Sequence, residues 1–409
     1  MPRRRAALLA ALASAVLALA LLSATPATAK RVDQGYPMPD KGTVTIRGHG
    51  YGHGHGMSQH GAQGAALEGL PWRQIARFYY PGTRIADGRG MVEVLISADT
   101  TRAVLVKARE GLVLRALETR ERWVLPDNGA KRWRLGVTRH GDTAVYYRTD
   151  RWRRWRILQG EGAFTAGGRP IRLYLAGTSR RYRGMLKALR PSPGSNDRDT
   201  VNRISLDNYI KGVIPAEMPA SWEPHAVRAQ AVAARTYASY EKAHQRAEHY
   251  DLCDTTACQV YGGRSAEHPL SNAAVKATRG KILTVAGEPA FTQFSASSGG
   301  WTSANQFDYL PAQEDPYDDW SGNTSHAWSV SVDVSRIERR WPGIGNLERI
   351  RVTERDGNGE WQGRVRTLVL VGSKKRVTVS GDTFRFALGL KSTWFSFDAP
   401  RARTRLGGR

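Results

Sequence analysis

Between residues 91 and 190 the chain alternates apolar and polar positions over short runs. VEVLISA (92–98), AVLVKA (103–108), LVLRA (112–116) and IRLYLA (171–176) are the clearest. A period of two sends successive side chains to opposite faces, so these runs predict strands joined by turns. Two stretches change to a helical period. One covers about Ala62 to Tyr80 and closes at Pro81-Gly82. The other covers about Ser221 to Gln245 and places Val227, Ala231, Ala234 and Ala238 on one face, suited to close packing. Ser221 is its candidate N-cap, with Glu223 and Pro224 in the first turn. Before it, VNRISL (201–206) reads as a strand and residues 206–217 as a short amphipathic helix. That helix must stop near Met218, because a residue before proline is pushed out of the helical region. PSPGSNDRD (191–199) is a loop by composition, and residues 281–400 return to strand-like alternation. The fold class is therefore α+β, with helices concentrated in the middle of the chain and no internal repeat.

The N-terminus changes the compartment. Arg3, Arg4 and Arg5 precede an apolar run from Ala6 to Leu22, and Ala27-Thr28-Ala29 is a small-residue cleavage site. This is the pattern of a secretory signal, so the mature chain is expected to be secreted or held at the cell envelope. The apolar content of 41% is enough for a real core. The net charge of +24 is uneven: residues 100–190 hold 22 Lys/Arg against 7 Asp/Glu, and 22 − 7 = +15. The densest patch, RWRRWR (151–156), alternates Arg with Trp152 and Trp155. Outside the cell such a face suits anionic wall polymers or headgroups rather than nucleic acid. The expected organisation is a signal peptide (1–29), a leader (30–42), a Gly/His-rich segment (43–90), a basic β-rich region (91–190), a core domain (191–400) and a basic tail (401–409).

Four constellations could carry chemistry. Glu217 ends its short helix, where the negative end of the helix dipole disfavours ionisation. A carboxylic acid kept neutral can donate a proton; a solvated helix-end carboxylate is the plain alternative. HGYGHGHGMSQHGAQG (49–64) sets His53 and His55 on one side of an extended segment, as a cleft wall or a metal site. Its glycines imply close backbone approach. Cys253 and Cys258, the only two cysteines, fit a disulfide or a zinc site completed by His249 first or His244 second. In FTQFSASSGGW (291–301), Ser297 and Ser298 suit substrate hydroxyl recognition or plain turn chemistry. The acidic run QEDPYDD (313–319), with Glu314, Asp315, Asp318 and Asp319, is expected to face solvent and lacks the spacing of a calcium loop.

The chain resembles the SpoIID/LytB family, named for stage II sporulation protein D and an enhancer of cell-wall amidases. The resemblance rests on YRGML (182–186), VNRISLDNYIKGVIPAEMPASW (201–222), RAQAVAARTYA (228–238), CDTTACQVYGG (253–263), FTQFSASSGGWTSA (291–304) and GDTFRFALGLKSTWFSF (381–397). GHGYGHGHGMSQHGAQGAA (48–66) followed by FYYPGT (78–83) is similar to the family's Gly-His-Gly box. The resemblance implies peptidoglycan as substrate. It also implies lytic transglycosylase activity on peptide-free glycan strands, with Glu217 as the catalytic acid. Some members hold zinc through one His and two Cys, which raises structural zinc at Cys253, Cys258 and His249 to the level of the disulfide. Gln230, Arg235 and the Ser297-Ser298 turn are candidates for gripping the strand. A non-catalytic enhancer of an N-acetylmuramoyl-L-alanine amidase, with that amidase as partner, is the alternative; an envelope structural or adhesion protein is a third. The box here precedes the core motifs, a circularly permuted order, and the basic region has no strong match to them.

Overall fold

The computed structural model describes residues 29–398. The signal read in the N-terminus, apart from Ala29, and the basic tail at 401–409 lie outside the described residues. No helix among them is long and apolar enough to cross a membrane.

The architecture is mixed α+β. The helices are α1 (Gln59–Leu67), α2 (Trp72–Tyr79), α3 (Leu206–Glu217), α4 (Pro224–Ala243), α5 (Pro269–Ala277), α6 (Val334–Arg340) and α7 (Gly381–Leu388). The helical pattern expected over 62–80 is thus two helices. Gly69 turns the chain at φ +88° and Pro71 is extended, which breaks the helix between them. Helix α3 ends at Glu217 because Met218, ahead of Pro219, is extended at φ −142° and ψ 137°. Helix α4 starts later than its sequence suggests. Glu223, not Ser221, is the N-cap and Pro224 opens the first turn. Helices α6 and α7, each capped by a side chain (Asp333 and Ser380), interrupt a stretch expected to be strand-like.

One core holds α1 to α5 and two sheets. A seven-stranded sheet runs Leu252–Cys253, Met91–Leu95, Asp199–Ser205, Met185–Leu189, Gly162–Thr165, Val113–Ala116 and Arg122–Val124. A six-stranded sheet runs Trp152–Leu158, Thr143–Arg148, Arg132–Val137, Val104–Lys107, Ile171–Leu175 and Thr178–Tyr182. The alternating runs hold in both: Val92, Val94, Leu114 and Ala116 of the first sheet and Val104, Val106, Ile171 and Leu173 of the second are all buried in the core.

A second core joins the two ends of the described chain. Its four-stranded sheet is Lys30–Pro37, Leu347–Arg355, Val365–Gly372 and Arg376–Ser380. Beside it, strand Thr43–His49 pairs with Ala327–Asp333 on one edge and Phe395–Phe397 on the other. The Gly-His-Gly segment therefore emerges from a strand stitched directly to the C-terminal segment.

Candidate functional site

Glu217 owes its position to the packing of α3 on α4. Tyr209, Ile210, Val213 and Ile214 bury the inner side of α3, and the alanines of α4 let the two helices approach closely. The residues beyond Cys253 form the next wall. The disulfide Cys253–Cys258 closes this loop. Gln259 fixes it to both helices: its Nε2 donates to the Ala234 carbonyl (3.2 Å) and its Oε1 accepts from the Tyr209 hydroxyl (3.2 Å). Opposite stands the Gly-His-Gly segment, paired through Met57–Ser58 with Phe294–Ser295 in parallel. Together they enclose a cleft of about 260 Å³ lined by His53, Glu217, Tyr237, Gln259, Gln293 and Phe294, with the 256–258 loop. Glu217 is the one carboxylate among these lining residues.

Burial pushes the Glu217 carboxyl above the usual carboxylate range. The Val260 backbone amide and the Gln59 side chain, as hydrogen-bond donors, oppose that shift without cancelling it. His53 goes the other way. Burial first, then neighbouring His55 and the Arg364 guanidinium, lower it to about 3. Its ring is therefore neutral at ordinary pH. The His55 backbone N–H donates to His53 Nδ1 (2.9 Å), which leaves the proton on Nε2. His55 stacks on His53 with centroids 5.0 Å apart and binds the Ser303 carbonyl through Nδ1 (2.9 Å).

Two glycines show why this loop is glycine-rich. Gly54, at φ +80°, lies against the Arg364 guanidinium, and Gly56, at φ +66°, against the Gln293 carbonyl; a Cβ on either would collide. The expected close approach is thus to the protein's own 293–298 segment and to Arg364. That arginine is buried and donates from Nη2 to the Ser298 carbonyl (2.9 Å).

The acidic run behaves differently from its sequence reading. Asp315 and Asp318 do not face solvent; they are 2% and 0% exposed. Asp318 accepts from Ser58 Oγ (2.6 Å), Ser297 Oγ (2.8 Å) and the backbone N–H groups of Ser298 and Gly299 (3.0 Å each). Asp315 accepts from Ser298 Oγ (2.7 Å) and the Tyr79 hydroxyl (2.9 Å). Ionised or hydrogen-bonded carboxylates are tolerated inside a protein when such donors surround them. Here they tie the 297–299 turn to α1 and α2.

Of the residues singled out in the sequence, Glu217, His53 and Cys258 meet at the cleft, with His55 behind His53. Ser297 and Ser298 are in the buried acidic network. Arg235 is sealed in the core, paired with Asp207 at 2.9 Å and bound to the Ala231 and Lys281 carbonyls. Gln230 is fully buried. Neither Arg235 nor Gln230 lines the cleft. Sequence pattern alone does not distinguish Gln59, Tyr237, Gln259 and Gln293, although Tyr237 and Gln259 lie in RAQAVAARTYA and CDTTACQVYGG, and Gln59 and Gln293 in the His-rich and Ser-rich segments. In the zinc reading the thiolates must be free, whereas here they are joined. His249 Nε2 instead meets Asp199 Oδ2 (2.7 Å), and His244 Nδ1 meets the Tyr240 carbonyl (2.9 Å). Among the described residues no group of three or more His, Cys, Asp or Glu side chains is placed to hold a metal ion. In this disulfide-bonded arrangement the donor set does not fit zinc.

A family model described as "Stage II sporulation protein" (SpoIID) matches residues 195–285, the segment that carries α3, α4 and the cysteine loop. Stage II sporulation protein D of Bacillus amyloliquefaciens is 30% identical over 253 residues, 54% of this chain and 70% of that protein. The chain belongs to the SpoIID family. Stage II sporulation protein D of Bacillus subtilis (strain 168) is 30% identical over 224 residues, 48% of this chain and 62% of that protein. An "Amidase enhancer" of the same strain is 37% identical over 137 residues, 32% of this chain. This SpoIID-family chain spans only 18% of that enhancer's length and less than two thirds of the Bacillus subtilis sporulation protein.

Proposed function

We propose that this SpoIID-family chain is an exported peptidoglycan-acting protein that cleaves peptide-free glycan strands as a lytic transglycosylase. Its catalytic domain is the mixed α/β body around Glu217, with the basic strand-rich region as an appended binding surface. The observation that carries this reading is a single acid in a polar cleft whose burial favours the protonated form. Such a group can protonate a glycosidic oxygen as the bond to the anomeric carbon breaks and an oxocarbenium-like transition state develops. The resulting carboxylate then takes the proton from the C6 hydroxyl of the same N-acetylmuramic acid. The C6 oxygen bonds to the anomeric carbon and closes an anhydro ring. No water and no second carboxylate enter, which matches the single lining acid. His53, neutral and orienting no charge at the sugar, forms an uncharged polar wall beside it. The basic face of the six-stranded sheet would hold anionic wall polymer.

The similarity to an amidase enhancer supports a second reading, a non-catalytic wall protein that stimulates a cell-wall amidase. Purified chain and Glu217→Gln, incubated with peptide-free glycan strands and read by mass spectrometry, separate the two. The wild type is expected to release anhydro-ended products, and the variant to lose about 10²- to 10⁴-fold in rate. Wild type without anhydro ends, or a variant that makes as many, removes the enzyme reading. Amidase stimulation unchanged in the variant would then support the enhancer.

A further inference from the structure

The six-stranded sheet has one face in the core and one in solvent, and the solvent face is basic and aromatic. None of its six strands contains an Asp or Glu. Register places Arg132 and Arg134 on the outer face opposite Arg148 and Tyr146, with Trp152 and Arg154 on the next strand. On the other side Lys107 stands opposite Arg132, and Arg172 opposite Arg181. Of these cations Lys107, Arg148, Arg154, Arg172 and Arg181 are exposed. Among the described residues none of the seven forms a salt bridge, whereas Arg153 on the edge strand pairs with Asp150.

The aromatic rings on this face are already occupied. Arg134 lies over Tyr146 at 4.5 Å and over Trp152 at 4.7 Å, and Arg132 over Tyr174 at 4.3 Å. Stacking on a ring holds the guanidinium plane and leaves its N–H edge free for an incoming anion. The Arg134 Nε is buried without a hydrogen-bond partner. At one end of the face a depression of about 690 Å³ is floored by Ala103, Leu105 and Gly136 and flanked by Arg134, Arg139 and Tyr146. It shares no lining residue with the Glu217 cleft.

We propose that this face binds a phosphodiester-linked polyol or sugar polymer. Guanidinium forks match phosphate oxygens in pairs. Positions two apart on one strand, such as Arg132 and Arg134, stand about 7 Å from each other, so the surface suits a chain with regularly spaced charges. Single-stranded nucleic acid gains much of its affinity from bases stacking on open aromatic rings, and here arginines cover one face of those rings. An apolar floor beside the charges accepts the carbon backbone of the polymer. This inference rests on the hold on anionic wall polymer proposed above for the same face, to which it adds the polymer's chemistry, and it is independent of the role of Glu217.

Binding of the full chain to synthetic poly(glycerol phosphate), measured by titration calorimetry across a series of sodium chloride concentrations, tests the proposal. Wild type is expected to bind and to weaken steadily with salt, while neutral dextran gives no heat. The exposed triple substitution Arg148→Gln, Arg154→Gln, Arg172→Gln should weaken binding about a hundredfold, roughly fivefold per charge, with an unchanged melting temperature. If the triple variant melts lower, Lys107→Gln with Arg181→Gln on other strands supplies the reading, with a loss of about 25-fold expected. Wild-type affinity in the variants overturns the proposal. So does dextran binding as tightly as poly(glycerol phosphate), or poly(dT) binding more tightly than it.

Discussion

Replacing Asp318 by Asn changes no shape and one charge, so it isolates the buried network behind the cleft. Oδ1 accepts from Ser58 Oγ and the Ser298 N–H; Oδ2 accepts from Ser297 Oγ, the Gly299 N–H, Asn323 Nδ2 and His326 Nδ1. Asparagine offers one acceptor oxygen and puts an NH₂ where the other was. Hydroxyls can rotate and an imidazole can change tautomer, but backbone N–H groups cannot. With the amide oxygen at the Oδ1 place, the Gly299 N–H and the Asn323 NH₂ face another donor; flipped, the Ser298 N–H does. Each buried donor left unmet costs about 1–3 kcal/mol, and the charge-assisted bonds lost add to it. The expected destabilisation is about 3–5 kcal/mol, a large share of a typical total of about 5–15 kcal/mol. Unfolding entropy grows with chain length, and a chain of this size shifts by only about 1.3 °C per kcal/mol, so thermal melts at pH 7 should fall by roughly 4–7 °C. The pH dependence carries a second check. Burial alone would raise the Asp318 carboxyl, but hydrogen bonds from His326, Ser58 and Ser297 outweigh it and hold the group below its ordinary 3.8. A lowered pKa gives stability that is present above pH 3.8 and is lost as acid protonates the group in the fold. The gap between wild type and Asp318→Asn should therefore be full at pH 7 and narrow below pH 4. Asp315 should respond too. Burial and then the Asp318 charge push it up to about 7, so removing that charge lets it ionise at lower pH. A variant melting within about 2 °C of wild type at pH 7 would mean that the buried donors do not depend on the Asp318 charge.

Gly56→Ala meets both a positive φ and the Gln293 carbonyl, and should cost about 2–4 kcal/mol in urea unfolding; a neutral result would mean the loop is not held where the structure has it. Cys253→Ser with Cys258→Ser opens a loop whose ends are five residues apart, worth about 2 kcal/mol in the chain-entropy treatment. Metal analysis of oxidised protein should find no stoichiometric zinc, and one zinc per chain in that form would contradict the donor geometry. The proposed strand cleavage should fall as pH rises through the raised pKa of Glu217, with no second limb from His53 between about pH 4 and 8, since that ring stays neutral to about 3. By the same linkage the raised Glu217 pKa favours the fold at low pH and is a burden as pH rises through it, so Glu217→Gln should melt above wild type at pH 8 and level with it at pH 4.

What was legible in the sequence was local. The strands of residues 91–190 announce themselves because a half-buried sheet needs a period of two. The end of α3 at Glu217 is written in the Met-Pro step. The buried carboxylates are the opposite case. Asp315 and Asp318 look like surface residues because their partners are distant in sequence: Ser58 lies 260 positions before Asp318, and Tyr79 lies 236 before Asp315. Arg235 looks like a cation awaiting an anion for the same reason; its counter-ion Asp207 is on another helix. Charge in a sequence does not say whether the compensating group is solvent, substrate or a side chain from another element, and only the fold assigns it.

The same distinction explains why the order of motifs along the chain leaves the cleft whole. The Gly-His-Gly segment precedes the core motifs, but the strand pairings that set its position come from distant segments. Strand Thr43–His49 is held between Ala327–Asp333 and Phe395–Phe397. Met57–Ser58 pairs with Phe294–Ser295, and Arg364 packs against Gly54. Every one of these partners lies more than 200 residues downstream. The loop is placed by segments that would hold it equally well if the backbone entered from the other end, provided the N-terminal and C-terminal segments lie side by side, as the pairing of Ile46 with Phe397 and the Tyr36 hydroxyl at 3.0 Å from Ser396 Oγ show they do. His53 thus faces Glu217 through tertiary pairing, and a permuted order alters which loops connect the pieces without moving the wall of the cleft.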